Sequence, residues 1–182
     1  MELGMIGLGR MGANMAQRLV RGGHRVVAYD VDPKAVAAAA GFGCETVESL
    51  VELPGKLAPS RSIWLMLPAG EPTETTISTL GSLVQPNDVV VDGGNSHYKD
   101  SKRRGYFLKQ LGVMYVDVGT SGGVWGLENG YCLMAGGDEW AIKQLEPALR
   151  TLAPTPTSGW ARVGTTGAGH YTKMIHNGIE YA

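Results

Sequence analysis

The sequence predicts an α/β fold, a doubly wound parallel sheet, and three observations predict it. Short β-rich runs alternate with helical runs along all 182 residues. Some of those strand runs are continuously apolar, Ser62-Ile63-Trp64-Leu65-Met66-Leu67 above all, as a strand buried on both faces must be. Glycine makes up 27 of the 182 residues and clusters where strands end, against a usual share of ~7%. Repeated βαβ units of this kind wind right-handed and cover both faces of one sheet.

The elements follow in order. Glu2-Leu3-Gly4-Met5-Ile6 reads as the first strand, and a helical run to about Arg21 is ended by Gly22-Gly23. Arg25-Val26-Val27-Ala28-Tyr29-Asp30 is a second strand ending in an acid. Pro33, pre-set for a first helical turn, opens a helix through the alanines at 37–40. Gly43-Cys44-Glu45 reads as a short third strand, and residues 46–53 as a short helix ended by Pro54-Gly55. The apolar run from Ser62 is the fourth strand, stopped by Pro68, with a helix at 71–83 after it. A fifth strand at 88–92, a polar helix at 98–111 and a sixth strand at 113–118 follow. Two shorter strands, at 131–135 and 156–160, flank a helix at 139–151 as a short added β-α-β extension. A last helix then begins. The reading therefore divides the chain into a Rossmann-type domain over 1–163 and the start of an interdomain helix over 164–182.

Composition excludes several classes. A net charge of -1 and a pI near 6.4 leave no electrostatic footprint for nucleic acid or an anionic membrane surface. No apolar run approaches the ~20 residues of a membrane span. Met1 leads straight into a strand without the basic and apolar regions of a signal peptide, so a cytoplasmic protein is expected. Cys44 and Cys132 are too few for a disulfide framework or a zinc site, and no metal is expected.

The first chemistry-bearing motif is Gly7-Leu8-Gly9-Arg10-Met11-Gly12. It follows a strand and opens a helix, the setting in which glycines allow a tight turn, a close approach to a pyrophosphate and close helix–strand contact. The helix start then offers free N–H groups to the phosphates. Asp30 stands where an acid binds the ribose. It can accept from both ribose hydroxyls and repels a 2′-phosphate, which predicts NAD in preference to NADP. Lys34, one turn on, partly offsets that repulsion, so NADP stays possible.

Three more loops fall at strand ends, where this fold puts ligands: Leu67-Pro68-Ala69-Gly70, Gly93-Gly94-Asn95-Ser96 and Gly119-Thr120-Ser121-Gly122-Gly123. Any one of them alone reads as a turn. Near the C-terminus, Lys173, His176, Asn177 and Glu180 stand at i, i+3, i+4 and i+7. At ~100° per residue they share roughly 100° of one helix face, with Ile175 and Ile179 expected to point the other way into whatever the helix packs on. A plain solvated face is the alternative for this stripe taken by itself.

These residues resemble a known family. Gly7 through Asn14, Asp92 through Ser96, Ser121-Gly122-Gly123 and Lys173 through Tyr181 are similar to the coenzyme domain of the decarboxylating 6-phosphogluconate dehydrogenases, within the β-hydroxyacid dehydrogenase superfamily. The likeness runs over essentially the whole chain. The His176-Asn177-Gly178-Ile179-Glu180-Tyr181 continuation distinguishes it from hydroxyisobutyrate relatives, and Val124 through Tyr131 resembles the short-chain bacterial branch. The resemblance implies metal-free oxidative decarboxylation of 6-phosphogluconate to ribulose 5-phosphate. Lys173 would be the base at the 3-hydroxyl, which requires a neutral amine, and Glu180 would protonate the enediol. Gly7, Leu8, Gly9, Arg10, Met11, Gly12, Asp30, Leu67, Pro68, Ala69 and Asn95 would bind the cofactor. Asn95, Ser121, Gly122, Gly123, His176 and Asn177 would orient the substrate, and Tyr181 would help to hold its phosphate.

Two departures carry expectations of their own. The family continues into an all-helical domain that supplies phosphate ligands and a homo-oligomer interface, whereas this chain is read as stopping in mid-helix at Ala182. Members resembling NADP enzymes carry Asn-Arg after the second strand, where this chain has Asp30-Val31. Two alternatives stay open: a β-hydroxyacid dehydrogenase acting on a small non-phosphorylated acid, and a dinucleotide-binding module without catalysis.

Overall fold

The computed structural model describes residues 1–180; Tyr181, read as a phosphate ligand, lies outside them. The first half alternates strictly: β1 (Glu2–Ile6), α1 (Arg10–Arg21), β2 (Arg25–Tyr29), α2 (Pro33–Gly41) and β3 (Glu45–Thr46). The second half continues with β4 (Ser62–Leu65), α3 (Glu71–Gly81), β5 (Val89–Asp92), α4 (Tyr98–Gln110) and β6 (Met114–Ser121). A one-turn helix α5 (Gly126–Asn129), β7 (Cys132–Gly136), α6 (Glu139–Leu152), β8 (Trp160–Gly164) and α7 (Ala168–Glu180) complete the described chain. The eight strands form one sheet in the order β3-β2-β1-β4-β5-β6-β7-β8. That is the Rossmann-type doubly wound order, reversing between β1 and β4.

The two faces of the sheet carry separate cores, which is why its central strands β1, β4 and β5 are mostly apolar. On one face Leu3, Met5, Trp64, Val89 and Val91 meet Met15 and Leu19 of α1 and Leu145 and Leu149 of α6. On the other, Ile63, Leu65 and Val90 meet Leu53 from the segment before β4, Ile77 and Leu80 of α3, and Leu108 of α4. Val90 faces opposite to Val89 and Val91, as the two-residue period of a strand requires. Each such fully buried aliphatic side chain contributes about 1.5–3 kcal/mol relative to exposure.

The structure corrects four expectations. β7 pairs with β6 antiparallel, not parallel. β6 runs on to Ser121, leaving ten residues before Cys132; a parallel return needs a longer crossover of a dozen or more residues. β7 and β8 are then parallel, joined through α6, so the added β-α-β extension is present. Residues 46–53 are not a helix: turns lead into a single 3-10 turn at Leu53–Lys56, which contains Pro54 and Gly55 instead of ending at them. Leu53 and Leu57 sink into the core there, and a segment so short makes its structure by tertiary contact. The third strand is Glu45–Thr46, starting two residues later and ending one residue later than read. The last strand begins at Trp160, where it was expected to end, because Thr155 and Ser158 close a turn before it and Gly159 has φ +93°.

Among the described residues no helix is long and apolar enough to cross a membrane.

Candidate functional site

A cleft of about 740 Å³ opens at the carboxyl ends of β1, β4, β5 and β6. It lies where the strand order reverses, the position at which such sheets bind ligands.

The turn after β1 forms its floor. Gly7 has φ +92°, and a Cβ there would stand 2.5 Å from the Met66 carbonyl oxygen. A Cβ on Gly12 would stand 1.9 Å from the Gly7 oxygen, so α1 can approach the turn this closely only with glycine at that position. Gly9 differs from both. Nothing lies within 4 Å of its absent side chain, and with Arg10, Met11 and Gly12 it lines the cleft. No side chain caps the start of α1, and its first turn holds no acid, so its N–H groups and positive dipole are left for an anion. This cradle fits a pyrophosphate.

Gly7, Leu8 and Asp30 are read from the sequence as cofactor residues, yet they do not line the cleft. Leu8 is buried, and its N–H donates to Asp30 Oδ2 at 2.5 Å, while Asp30 Oδ1 accepts from the Asp32 N–H at 2.8 Å. Gly7 donates to the Tyr29 carbonyl at 3.0 Å. The three therefore brace the turn from behind and fix a carboxylate beside it. In the β4 loop, Leu67 and Pro68 line the cleft together with Met66, and Ala69 lies outside it. Met66 escaped the sequence reading because it was taken as strand interior; β4 ends at Leu65.

The β5 loop brings Gly93, Gly94 and Asn95 to the cleft, and a buried network holds it there. Asp92, fully buried, accepts from Ser96 Oγ at 2.7 Å, Tyr115 OH at 3.0 Å, Arg104 Nη1 at 3.1 Å and the Gly94 N–H at 3.1 Å. Arg104 also donates to Glu74 of α3 at 2.9 Å. The Arg103 guanidinium, with Arg104 beside it, holds the Glu74 carboxyl down to about 2. Burial pushes the Tyr115 hydroxyl well above its usual range, and the Asp92 charge adds to this. Gly94 and Ser96 belong to the local Asp92–Ser96 motif, whereas Arg104, Tyr115 and Glu74 join through bonds spanning 12 to 30 positions and left no local signal.

β6 and α7 form the remaining wall. Thr120, Ser121, Gly122 and Gly123 line the cleft from one side, and Lys173, Asn177 and Glu180 from the other. Three glycines seat α7 directly on the sheet. A Cβ on Gly119 would meet the Lys173 Cβ at 2.5 Å, and one on Gly169 would meet the Asp117 and Met134 oxygens at 2.4 Å. One on Gly136 would meet the Gly169 nitrogen at 2.6 Å. Buried Asp117 accepts from the Gly167 and His170 N–H groups at 2.6 and 2.8 Å, so a strand carboxylate closes the start of the helix. Burial raises that carboxyl above its ordinary range, and the two backbone donors work against the rise.

His176 sits behind the cleft wall, with Nδ1 3.4 Å from Glu180 Oε2. The expectation that Ile175 and Ile179 are buried is overturned: they are 44% and 77% exposed. The sheet takes the helix along its glycine side, so the isoleucine side meets none of the described elements closely enough to be covered. Among the described residues no group of three or more metal-binding side chains occurs.

The chain's relatives share this arrangement's fold. A family model described as the NAD binding domain of 6-phosphogluconate dehydrogenase matches residues 2–164. A Haloferax volcanii protein described as an NAD(+)-dependent, decarboxylating 6-phosphogluconate dehydrogenase is 46% identical over 182 residues, which cover 100% of this chain and 60% of that protein. A Bacillus subtilis protein of the same description is 38% identical over 100% of this chain and 40% of its own length. Among solved structures, 6-phosphogluconate dehydrogenase of Plasmodium falciparum, described in complexes with NADP+ and with 6-phosphogluconate, superposes with a TM-score of 0.91 at 28% identity. It is matched over 100% of this chain and 40% of that one. A Mycobacterium tuberculosis 3-hydroxyisobutyrate dehydrogenase with L-serine gives 0.88 at 28% identity, over 98% and 60% of the two chains. The chain thus spans about 60% of the Haloferax relative and about 40% of the Bacillus one.

Proposed function

The chain belongs to the family of the 6-phosphogluconate dehydrogenase NAD-binding domain, and from that premise we propose that it is the cofactor-binding part of an enzyme that oxidatively decarboxylates 6-phosphogluconate. The products are ribulose 5-phosphate and carbon dioxide, with NAD reduced in preference to NADP. The observation that carries this reading is the shared cleft: the glycine cradle of α1 and the Lys173–Asn177–Glu180 stripe of α7 line one cavity.

Gly9 through Gly12 and the free N–H groups of α1 would hold the pyrophosphate, Asp30 the adenosine ribose, and Leu67, Pro68 and Asn95 the portion nearer the reacting atoms. The nicotinamide ring, when bound, supplies the hydride acceptor. Lys173, as a neutral amine, takes the proton of the substrate 3-hydroxyl while the hydrogen on that carbon leaves as hydride. The ketone so formed lies β to the carboxylate, and the carbon–carbon bond to carbon dioxide then breaks. Its electron pair goes into the enediol, and Lys173 returns its proton to the oxygen. Glu180 delivers a proton to the carbon that lost carbon dioxide, and the neutral Lys173 amine takes back the enediol hydroxyl proton as the product's carbonyl forms. Ser121 through Gly123 and Asn177, with His176 next to it on α7, would orient the carboxylate and hydroxyls.

A second reading has its own support in the 0.88 TM-score to a hydroxyisobutyrate dehydrogenase: a small non-phosphorylated β-hydroxyacid as substrate. Rates of NADH formation by the full-length protein with 6-phosphogluconate, 3-hydroxyisobutyrate and L-serine separate the two. Turnover led by 6-phosphogluconate is expected, and turnover led by either small acid would replace the first reading with the second.

A further inference from the structure

We infer that His170 is a positioning residue for Lys173, holding α7 at one height and one rotation over the cleft. The inference rests on the reading of Lys173 as the base, and it comes from three contacts along the first two turns of α7. The His170 N–H donates to Asp117 Oδ2 at 2.8 Å. Two residues further along β6, on the same face of the strand, Gly119 lies against the Lys173 Cβ. One strand therefore grips one helix at two points a turn apart, which fixes the helix along its axis. The third contact leaves the sheet: His170 Nδ1 stands 2.7 Å from Ser101 Oγ on α4. Both groups are buried, His170 at 3% exposure and Ser101 at 0%, so the bond is shielded from competing water. It sets the helix's rotation, and it ties α7 to the helix that begins directly after the Asn95 loop.

A helix end held only by apolar contact and by glycines can slide or turn, because those contacts have little direction. A hydrogen bond at a buried ring and one accepted by a buried carboxylate are directional. Lys173 carries its amine on a flexible four-carbon stem three residues beyond His170. Displacing the stem's root by ~1 Å is enough to cost on the order of a hundredfold in rate. His170 does not line the main cleft; it borders a smaller neighbouring pocket that also touches Asn95, Met174 and Asn177, and its Nδ1 is turned to Ser101.

The test uses the full-length protein with NAD and 6-phosphogluconate, and compares His170→Ala, His170→Asn, Ser101→Ala and the double variant His170→Ala/Ser101→Ala. His170→Ala should lower kcat by roughly 10- to 100-fold while the affinity for NAD stays within about twofold. His170→Asn keeps a hydrogen-bonding atom where Nδ1 stands. It should recover kcat to within about threefold of wild type even though its melting temperature falls like that of the alanine variant. A merely structural histidine would show the opposite split, with melting temperature lost in both variants and kcat lost in neither. Ser101→Ala should reproduce most of the kcat loss, and the double variant should be no slower than the worse single one. If His170→Ala does not fold, Ser101→Ala alone decides the matter. Wild-type kcat in either folded variant overturns the inference. Lys173→Met is measured alongside: if it stays active, the reading of Lys173 itself fails, whereas an inactive Lys173→Met beside a fully active His170→Ala sinks the positioning role alone.

Discussion

Asp30 holds the Leu8 and Asp32 N–H groups with its two oxygens, so its charge cannot swing away from the end of β2. A carboxylate pinned at that place accepts ribose hydroxyls and repels a 2′-phosphate. NAD should therefore bind the full-length protein more tightly than NADP. Replacing Asp30 by serine and Val31 by arginine should reverse the order; Val31 is 87% exposed, so an arginine there has room to meet a phosphate. Titration of both cofactors checks this, and equal affinities in the wild type would refute it. Glu180→Gln should slow the protonation that follows carbon dioxide loss by ~10²–10⁴-fold. NADH should still form in the first turnover, so rapid mixing separates the two steps; a lost first-turnover signal would move Glu180 to the hydride step. Asp30 was singled out by its place at the end of the second strand, and Glu180 by the stripe it shares with Lys173 together with the family resemblance. Asp117 and Ser101 were not, because they reach His170 across 53 and 69 positions of sequence.

At the scale of elements, α3, α4 and β5 are joined through Arg104, which is 1% exposed. Arg104→Met keeps the volume but leaves Asp92 charged and unpaired in the core, which should cost about 3–5 kcal/mol. Thermal unfolding measures it, and an unchanged melting temperature would show that the network is dispensable. Glu74 gives the same junction a pH dependence. Its carboxyl is held down to about 2 from an ordinary 4.5, so its contribution is present above pH ~4.5 and is lost as pH falls toward ~2. Glu74→Gln should remove that part of the acid loss, seen as a flatter melting temperature between pH 5 and pH 3; an equally steep profile would assign the loss elsewhere. The strands and long helices were readable because a buried strand or an amphipathic helix writes its period locally. The reversal of β7 was not, since direction depends on where β6 ends, and the pattern of residues 113–121 does not mark that point. The buried side assigned to Ile175 and Ile179 failed for a related reason. Period alone says which residues share a face, while Gly119, Gly136 and Gly169 decide which face meets the sheet.

Taken as a whole molecule, the described residues hold the turn, loops and helix start of a dinucleotide cleft, but the only basic side chains among them that line it are Arg10 and Lys173, and the proposed reaction needs Lys173 as a neutral amine. A sugar phosphate brings roughly two negative charges that need partners to turn binding energy into orientation. The 182-residue chain by itself should therefore bind NAD, read by calorimetry, and fail to reduce it appreciably with 6-phosphogluconate; near-normal turnover would mean that this cleft is sufficient. In the proposed enzyme one cleft joins the glycine cradle to Lys173 as the base. Single-turnover NADH formation by the full-length protein, wild type against Lys173→Met with NAD affinity measured in parallel, tests it most directly. The expected result is no NADH signal at an unchanged NAD affinity, and a Lys173→Met protein that reduces NAD at close to the wild-type rate would contradict it.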